Sequence, residues 1–403
     1  MSKNIVIIAS DFKGGEFIEE CHYAGWHVTL VTRKKLLDEA WPWTAINDAK
    51  TVPDDAQMGD YVRAATNIIG ERPIHKVVGL DEFDVITAAL TREHLQLPGM
   101  TSSYLKRFRD KLTMRNLAAS NGIPCPEFIG AFNAADIANY LETVPGPWVV
   151  KPRHEVSAFG IRKCHTASEV WDVLNELDSR NTWRDHPSQF LIERFIEGKV
   201  FHVDSVVDKG KVVAAGVSQY GTTPFDVSHH GGVFTSFITP YRSNERKELE
   251  TMNRALLMAF EYERGVTHGE FLQSKETGEF FLLEVACRVG GAYIANVLEN
   301  ACNFNLWREW AKLEIATREN PYKLPKLRKE FAGVALALAN TEEPDTSHYT
   351  DDEIVYRITK PRHVGFIVHS TKSKRVDEML TSLTERISRD FLEIAPVKER
   401  HDD

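Results

Sequence analysis

The first hundred residues alternate short apolar runs with amphipathic stretches. Residues 5–10 are an apolar run that leads into Asp11, Gly14 and Gly15. Residues 16–24 carry apolar positions at helical spacing and stop at Gly25, and residues 26–32 form a second apolar run. Strand, helix and strand in that order open a parallel α/β sheet. A third run, residues 75–80, has Asp81 and Glu82 at its carboxyl end, where open α/β sheets collect ligands. Gly14 and Gly15 lack the spacing of a dinucleotide fingerprint, which argues against a nicotinamide cofactor. Leu97-Pro98-Gly99 breaks the pattern and marks a boundary.

From residue 100 the pattern changes. Residues 103–120 read as one or two helices ending at Asn121-Gly122, and Pro124 and Pro126 enforce an extended segment. Residues 148–152 are a strand closed by Pro152, with further strands at 190–195 and 200–207. Residues 211–219 pair with the last of these across Asp208-Lys209-Gly210. A long helix is expected at 245–262. Strands at 269–274 and 279–285 flank Glu276-Thr277-Gly278, and helices follow at 292–300 and 306–318. Pro321 and Pro325 read as a linker to strands at 332–339, 354–359 and 364–369 and a helix at 375–387. The expected organisation is an α/β and α+β multidomain chain. It has an N-terminal parallel-sheet domain over 1–98, a central domain over 99–320 and a small C-terminal α+β domain over 321–403.

Composition narrows the function. The 403 residues are 42% hydrophobic and 27% charged, which is ordinary for a globular protein. Lys and Arg number 49 against 58 Asp and Glu, a net charge of −9 without a basic run. That argues against nucleic-acid binding, which needs clustered cations. Anionic ligands would need a local cationic pocket. The longest apolar segments, 331–339 and 5–9, fall short of the roughly 20 residues of a membrane span. Asp11, Lys13 and Glu16 interrupt a secretory h-region. The five cysteines form no C-x-x-C pair, as expected of reduced thiols in a cytoplasmic protein.

Candidate chemistry sits on a few charged residues. Lys111 follows Asp110 at a helix start, Lys151 ends a buried strand, and Arg288 precedes Gly290-Gly291. A buried lysine needs a partner, and a ligand phosphate is one option. Glu270 and Glu284 lie in successive strands that a hairpin can bring to one face. There they are either exposed strand carboxylates or oxygen ligands for a hard cation. Ser228-His229-His230-Gly231-Gly232 reads as a substrate contact, a metal site or a loop without chemical role.

Taken in order, these pieces resemble the ATP-grasp superfamily. They are Asp110-Lys111, Val149-Val150-Lys151-Pro152, Glu193-x-Phe195-Ile196-x-Gly198, Glu270, and Glu284-Val285-x-x-Arg288-x-Gly290-Gly291. Upstream, Gly79-Leu80-Asp81-Glu82 and Leu97-Pro98-Gly99 look like the domain preceding the ATP-grasp domain. The likeness spans residues 5–318 and leans toward carboxylate–amine ligases that join amino acids. It implies an ADP-forming ligase using ATP and Mg²⁺, with Mn²⁺ as an alternative, acting on a small acid and an amine. It leaves room for a homo-oligomer and implies no nucleic acid and no membrane. By resemblance, Lys111 and Lys151 hold phosphates, and Glu193, Arg194, Phe195 and Ile196 line the adenine pocket. Glu270 and Glu284 ligate the metal, and Arg288 with Lys151 is catalytic. His202 or Asp204 replaces a ribose-binding glutamate that falls near Val200. His229, His230, Gly290 and Gly291 contact substrate. An asparagine common two residues after the second metal glutamate is here Ala286, and the loop at 153–160, usually glycine-rich, has one glycine. The rival readings are an ATP-dependent carboxylase or purine-type ligase, and a non-catalytic ATP-binding regulatory protein on the same fold.

Overall fold

The N-terminal apolar runs form a four-stranded parallel sheet. Its strands β1 (Asn4–Ala9), β2 (His27–Arg33), β3 (Asp48–Val52) and β4 (Lys76–Gly79) are ordered β3-β2-β1-β4. Every residue of β1 is buried, which is why it reads as an unbroken apolar run rather than an alternating one. Helix α1 (Gly15–Tyr23) starts behind Gly14, whose φ of 76° is left-handed. A Cβ there would also lie 2.7 Å from Leu80, so both conformation and space call for glycine. Helices α2 (Met58–Glu71) and α3 (Asp84–His94) complete this unit. The strand order reverses at β1, so the loops after β1 and β4 lie side by side: Ser10 N donates to Asp84 Oδ2 at 3.0 Å, and Lys13 pairs with Asp81. This computed structural model describes residues 3–155, 160–179, 189–223, 227 and 231–393.

Two helices, α4 (Ser102–Arg109) and α5 (Lys111–Ser120), occupy the stretch read as one or two. Asp110 separates them. It closes the first, and its side chain caps the second by accepting from Leu112 N at 3.1 Å. A small antiparallel sheet follows, from β5 (Phe128–Gly130), β6 (Trp148–Pro152), β7 (Arg162–Cys164) and β8 (Phe190–Arg194) in the order β5-β8-β6-β7. With α6 (Ala134–Thr143) and α7 (Ala167–Ser179) it encloses a core of Trp148, Val150, Ile192 and Ile137.

The large sheet has eight strands: β9 (Gly198–Asp208), β10 (Lys211–Thr222), β11 (Phe234–Ile238), β12 (Gly265–Ser274), β13 (Phe280–Ala286), β14 (Phe331–Leu338), β15 (Ile354–Arg357) and β16 (His363–Ser370). Their order is β13-β12-β9-β10-β11-β14-β16-β15. Helices α8 (Asn244–Ala259), α9 (Ile294–Cys302), α10 (Leu306–Ile315) and α11 (Ser373–Asp390) cover it. The C-terminal segment was read as a small α+β domain after a proline linker. Instead β14 hydrogen-bonds to β11, with Phe234 opposite Leu336, so β14–β16 extend the central sheet. The edge of β11 would otherwise be open, and its partner comes from about a hundred residues further on. Only the packing of α11 on Tyr349, Phe366 and Val368 is its own cluster.

Strand β9 alternates in the way that places the site. Phe201, Val203 and Val207 join the core under α8. Val200 and Val206 join the opposite core under α9 and α10. His202 and Asp204 lie between these two valines, on a face that is otherwise aliphatic.

Candidate active site

The metal-ligand pair expected of Glu270 and Glu284 depends on one irregularity. Phe271 pairs with Leu282, but Glu270 pairs with Glu284, so a bulge shifts the register by one residue between them. Without that shift Glu284 would fall opposite Gly269 and point to the other face, since a one-residue slip inverts every side chain. With it, the two carboxylates are direct cross-strand neighbours. The same register puts Glu270 opposite His202 and His268 opposite Asp204, and Tyr220 of β10 opposite Ser236 of β11.

These groups are joined on one face. Tyr220 OH donates to Glu270 Oε1 at 2.8 Å, and His268 Nε2 lies 3.3 Å from the same oxygen. His268 Nδ1 is 2.8 Å from Asp204 Oδ1, His202 Nδ1 is 2.5 Å from Asp204 Oδ2, and His202 Nε2 is 2.7 Å from Ser236 Oγ. Burial disfavours the charged forms, but the imidazoles hold the Asp204 carboxyl well below its usual range. Burial also lowers His268, yet Asp204 and Glu270 outweigh it and push it up to about 10. Glu270 is held below its ordinary value, with His268 and Tyr220 prevailing over desolvation. Tyr220 is raised well above its own, by burial and by Glu270.

Cations arrive from the helices and the small sheet. Lys111, the first residue of α5, places Nζ 3.0 Å from Glu284 Oε2 and donates to the Glu155 carbonyl at 2.6 Å. Arg109 reaches the His154 carbonyl at 2.8 Å, and Arg153 pairs with Asp110, so α4 and α5 fix the start of the loop that follows β6. Residues 156–159 of that loop lie outside the described residues. Arg288 follows β13, with Nε 2.7 Å from Glu82 Oε2 and Nη1 donating to the Val289 carbonyl at 2.9 Å. The other oxygen of Glu82 is 2.7 Å from Arg109 Nη1. Burial would raise Glu82, but Arg288 and Arg109 hold it down at about 2. The carboxyl end of β4 thus grips the expected catalytic arginine from the neighbouring unit.

On the small sheet Lys151 and Glu193 share a face, because Val149 is the residue opposite Glu193. Lys151 Nζ is 2.5 Å from Glu193 Oε2, and Arg115 Nε is 2.7 Å from Oε1. Arg115 also donates to the Leu283 carbonyl at 2.6 Å, tying this cluster to the strand of Glu284. Burial lowers Lys151 to about 8 despite Glu193. Glu193 stays below its usual range because Arg115 and Lys151 overcome its burial.

Several sequence expectations are placed differently. The adenine and ribose roles presuppose atoms facing a groove. Glu193 has both oxygens engaged by cations, and His202 and Asp204 are each 0% exposed with their polar atoms turned inward. Arg194 pairs with Glu127 at 3.2 Å, Phe195 N donates to the Pro147 carbonyl at 2.8 Å under Lys163, and Ile196 is buried. A Cβ on Gly290 would lie 2.8 Å from His268 Nδ1 and 3.1 Å from Asp204 Oδ1, so this glycine packs on the histidine–aspartate pair, whereas Gly291 has open space. Ala286 sits opposite His268. His229 and His230 lie outside the described residues. Sequence reasoning did not single out Arg109, Arg115 or Tyr220, and gave Glu82 no role. Glu82 had a signal in its place at a strand's carboxyl end. The others lie on ordinary amphipathic elements.

Residues 144–296 match the family model of an ATP-grasp domain. The chain is 24% identical over 249 residues to the L-arginine-specific L-amino acid ligase of Bacillus subtilis, covering 62% of this chain and 59% of that protein. It is 27% identical over 180 residues to a D-alanine–D-alanine ligase of Marinobacter nauticus, 44% of this chain and 52% of that one. The alignments thus span little more than half the length of these curated relatives. The crystal structure of an L-amino acid ligase from Bacillus licheniformis superposes with a TM-score of 0.74 at 17% identity, covering 98% and 99% of the two chains. The chain carries an ATP-grasp domain and has the ATP-grasp fold, with a parallel-sheet unit before it. Among the described residues, no helix is long and apolar enough to cross a membrane.

The donor set fits a hard divalent cation. Glu270 and Glu284 offer only carboxylate oxygens, side by side, with Glu270 Oε1 already oriented by Tyr220 and His268. Such oxygen ligands, with phosphate completing the shell, suit Mg²⁺ bound with a nucleotide.

Proposed function

We propose that this chain is an ATP-dependent carboxylate–amine ligase, acting on a small acid and an amine of the amino-acid class and releasing ADP and phosphate. The observation that carries the reading is the bulge-set pair Glu270 and Glu284 with Lys111 on it, inside an ATP-grasp domain. Glu270 and Glu284 would hold Mg²⁺, or Mn²⁺ in its place. When bound, that ion offsets charge on the transferring phosphoryl oxygens.

The chain's own residues do the rest. Lys111 and Lys151 hold the phosphates, which displace part of their present pairing with Glu284 and Glu193. A carboxylate oxygen of the acid attacks the γ-phosphorus, the bond to the bridging oxygen of ADP breaks, and an acyl phosphate forms. The amine nitrogen then attacks the acyl carbon, the bond to phosphate breaks, and the nitrogen loses a proton. Arg288, held by Glu82, presents a planar guanidinium to the oxygens that gain charge. Arg109 and Lys111 hold the carbonyls of His154 and Glu155 beside the site, and excluding water there would protect the acyl phosphate. All five cysteines are free thiols, which supports a reducing, cytoplasmic setting.

The test is product analysis over pairs of amino acids with MgATP, with and without bicarbonate. The expected products are ADP and phosphate in equal amounts, with a mass equal to acid plus amine minus water. AMP and pyrophosphate would overturn the mechanism. Strict dependence on bicarbonate would move the assignment to a carboxylase, and no turnover with any pair would move it to a regulatory nucleotide binder.

A further inference from the structure

Beneath the metal-ligand pair lies a row of buried polar groups that the proposed reaction does not use. His202 and Asp204 are 0% exposed, His268 5% and Tyr220 4%. They occupy a sheet face whose neighbouring positions on β9 are Val200 and Val206. Polar groups in such a place cost stability unless every one is paired, and here the pairing is continuous from Ser236 through His202, Asp204 and His268 to Glu270. The row therefore ends on the carboxylate read as a metal ligand.

The direction of the row follows from donor chemistry. Asp204 can only accept, so each Nδ1 facing it donates. Both rings are thereby fixed in orientation, and the far edge of His268 is turned to Glu270 Oε1. Tyr220 OH donates to the same Oε1. Oε2 of Glu270 has no hydrogen-bond partner among the described residues. One oxygen is clamped from two sides and the other is left for an incoming ion. Gly290 supplies an independent sign that this geometry is held tightly: it packs on the Asp204–His268 pair so closely that a methyl group would collide. The backbone two residues after Arg288 thus rests on the same row.

We propose that Tyr220 and His268, the latter held by Asp204 and His202, are positioning residues that clamp one oxygen of Glu270 and present the other to the divalent cation. This rests on reading Glu270 as a metal ligand. The arrangement matches the general behaviour of metal sites, where partners behind a ligand set its orientation and their loss costs about 10- to 100-fold in affinity. The three groups His202, Asp204 and His268 also lie close enough together to hold an ion themselves. The contacts of 2.5 and 2.8 Å between their ligand atoms suit shared protons better than an ion, since an ion in tetrahedral coordination holds its ligand atoms at roughly 3.3 Å from one another.

The experiment titrates Mn²⁺ into the purified full chain with saturating ADP, following free Mn²⁺ by its paramagnetic resonance. Tyr220→Phe removes one oxygen and no volume of consequence. It should weaken Mn²⁺ about tenfold while leaving metal-free ADP binding and the melting temperature near wild type. In turnover it should raise the half-saturating Mg²⁺ concentration, with kcat recovering at high Mg²⁺, a split that general loosening of the fold would not give. Asp204→Asn should weaken Mn²⁺ further. If it does not fold, Tyr220→Phe alone decides. Wild-type Mn²⁺ affinity in Tyr220→Phe overturns the proposal while leaving the ligase reading intact. Failure of the wild type to bind Mn²⁺ with ADP overturns the metal role of Glu270 itself. A stoichiometric transition metal in the purified protein, lost in His202→Gln, would make the row a ligand set and overturn the positioning role.

Discussion

Glu193 and Glu270 are both carboxylates on a sheet face, the first buried and the second half-buried, and their surroundings are opposite in sign. Glu193 has Arg115 on one oxygen and Lys151 on the other, two cations to one anion. Glu270 has a hydroxyl and an imidazole on one oxygen and a second carboxylate, Glu284, directly across the strand pair. The small sheet therefore carries surplus positive charge and the large sheet surplus negative charge. On the proposed reading the first would receive phosphate oxygens and the second a divalent cation. Lys111 joins them, touching Glu284 and the loop carbonyl of Glu155. A metal–nucleotide complex has the matching polarity. Neither cluster alone would distinguish a ligand site from a structural ion pair.

The comparison breaks most severely if Glu284 loses its charge. Glu284→Gln keeps the shape of the side chain but leaves Lys111 without its carboxylate and the ion without a ligand. Loss of several kcal/mol of charge stabilisation corresponds to a fall in kcat/KM of roughly two to three decades, measured by coupled ADP release. Near-normal activity at low Mg²⁺ would assign Glu284 to structure. On the other sheet, Lys151→Ala should cost about 10²-fold, chiefly through ATP binding, as for loss of one preorganised donor. The fold should survive, because Arg115 still neutralises Glu193. Equilibrium ATP binding with a melting curve checks both, and unchanged ATP affinity would remove phosphate from this cluster.

The contrast between the sheets was unequally legible in the sequence. Glu270, Glu284 and Lys151 stood out because each interrupts an apolar strand, and burial of charge is a local signal. Their placement on one face was not local. It hangs on the bulge at Glu270/Phe271, and nothing in Glu270-Phe271-Leu272 announces a register shift. Arg115 and Arg109 were not singled out, because their partners lie 78 and 27 residues away in sequence. Tyr220 looked like any strand aromatic. His202 and Asp204 were noticed only through the resemblance, as substitutes for a ribose-binding glutamate near Val200. Their burial follows from the alternation of β9, which puts them on the face between Val200 and Val206. The C-terminal strands were found as strands, but the sheet they join depends on a pairing to β11 across the intervening helices.

The mildest test of the contrast uses pH and the lysine itself. Burial lowers Lys151 to about 8, from an ordinary lysine value of 10.5. In the nucleotide-free protein Lys151 is therefore a cation at neutral pH and loses its proton as pH rises through about 8. ATP affinity should fall across that range, by at most about tenfold per pH unit. Stability should move the other way. Between about 8 and 10.5 the unfolded chain binds a proton at this lysine that the native state does not, so this group's contribution rises with pH. Lys151→Arg keeps the charge throughout and should flatten both dependences, whatever its absolute affinity. Calorimetric ATP binding and denaturant unfolding over pH 7 to 9.5 read the two slopes. A flat ATP affinity in the wild type, or the same decline in Lys151→Arg, would mean that Lys151 does not meet the phosphates as a titrating cation. The small sheet would then offer the phosphates no cation beyond Arg115, which Glu193 already neutralises.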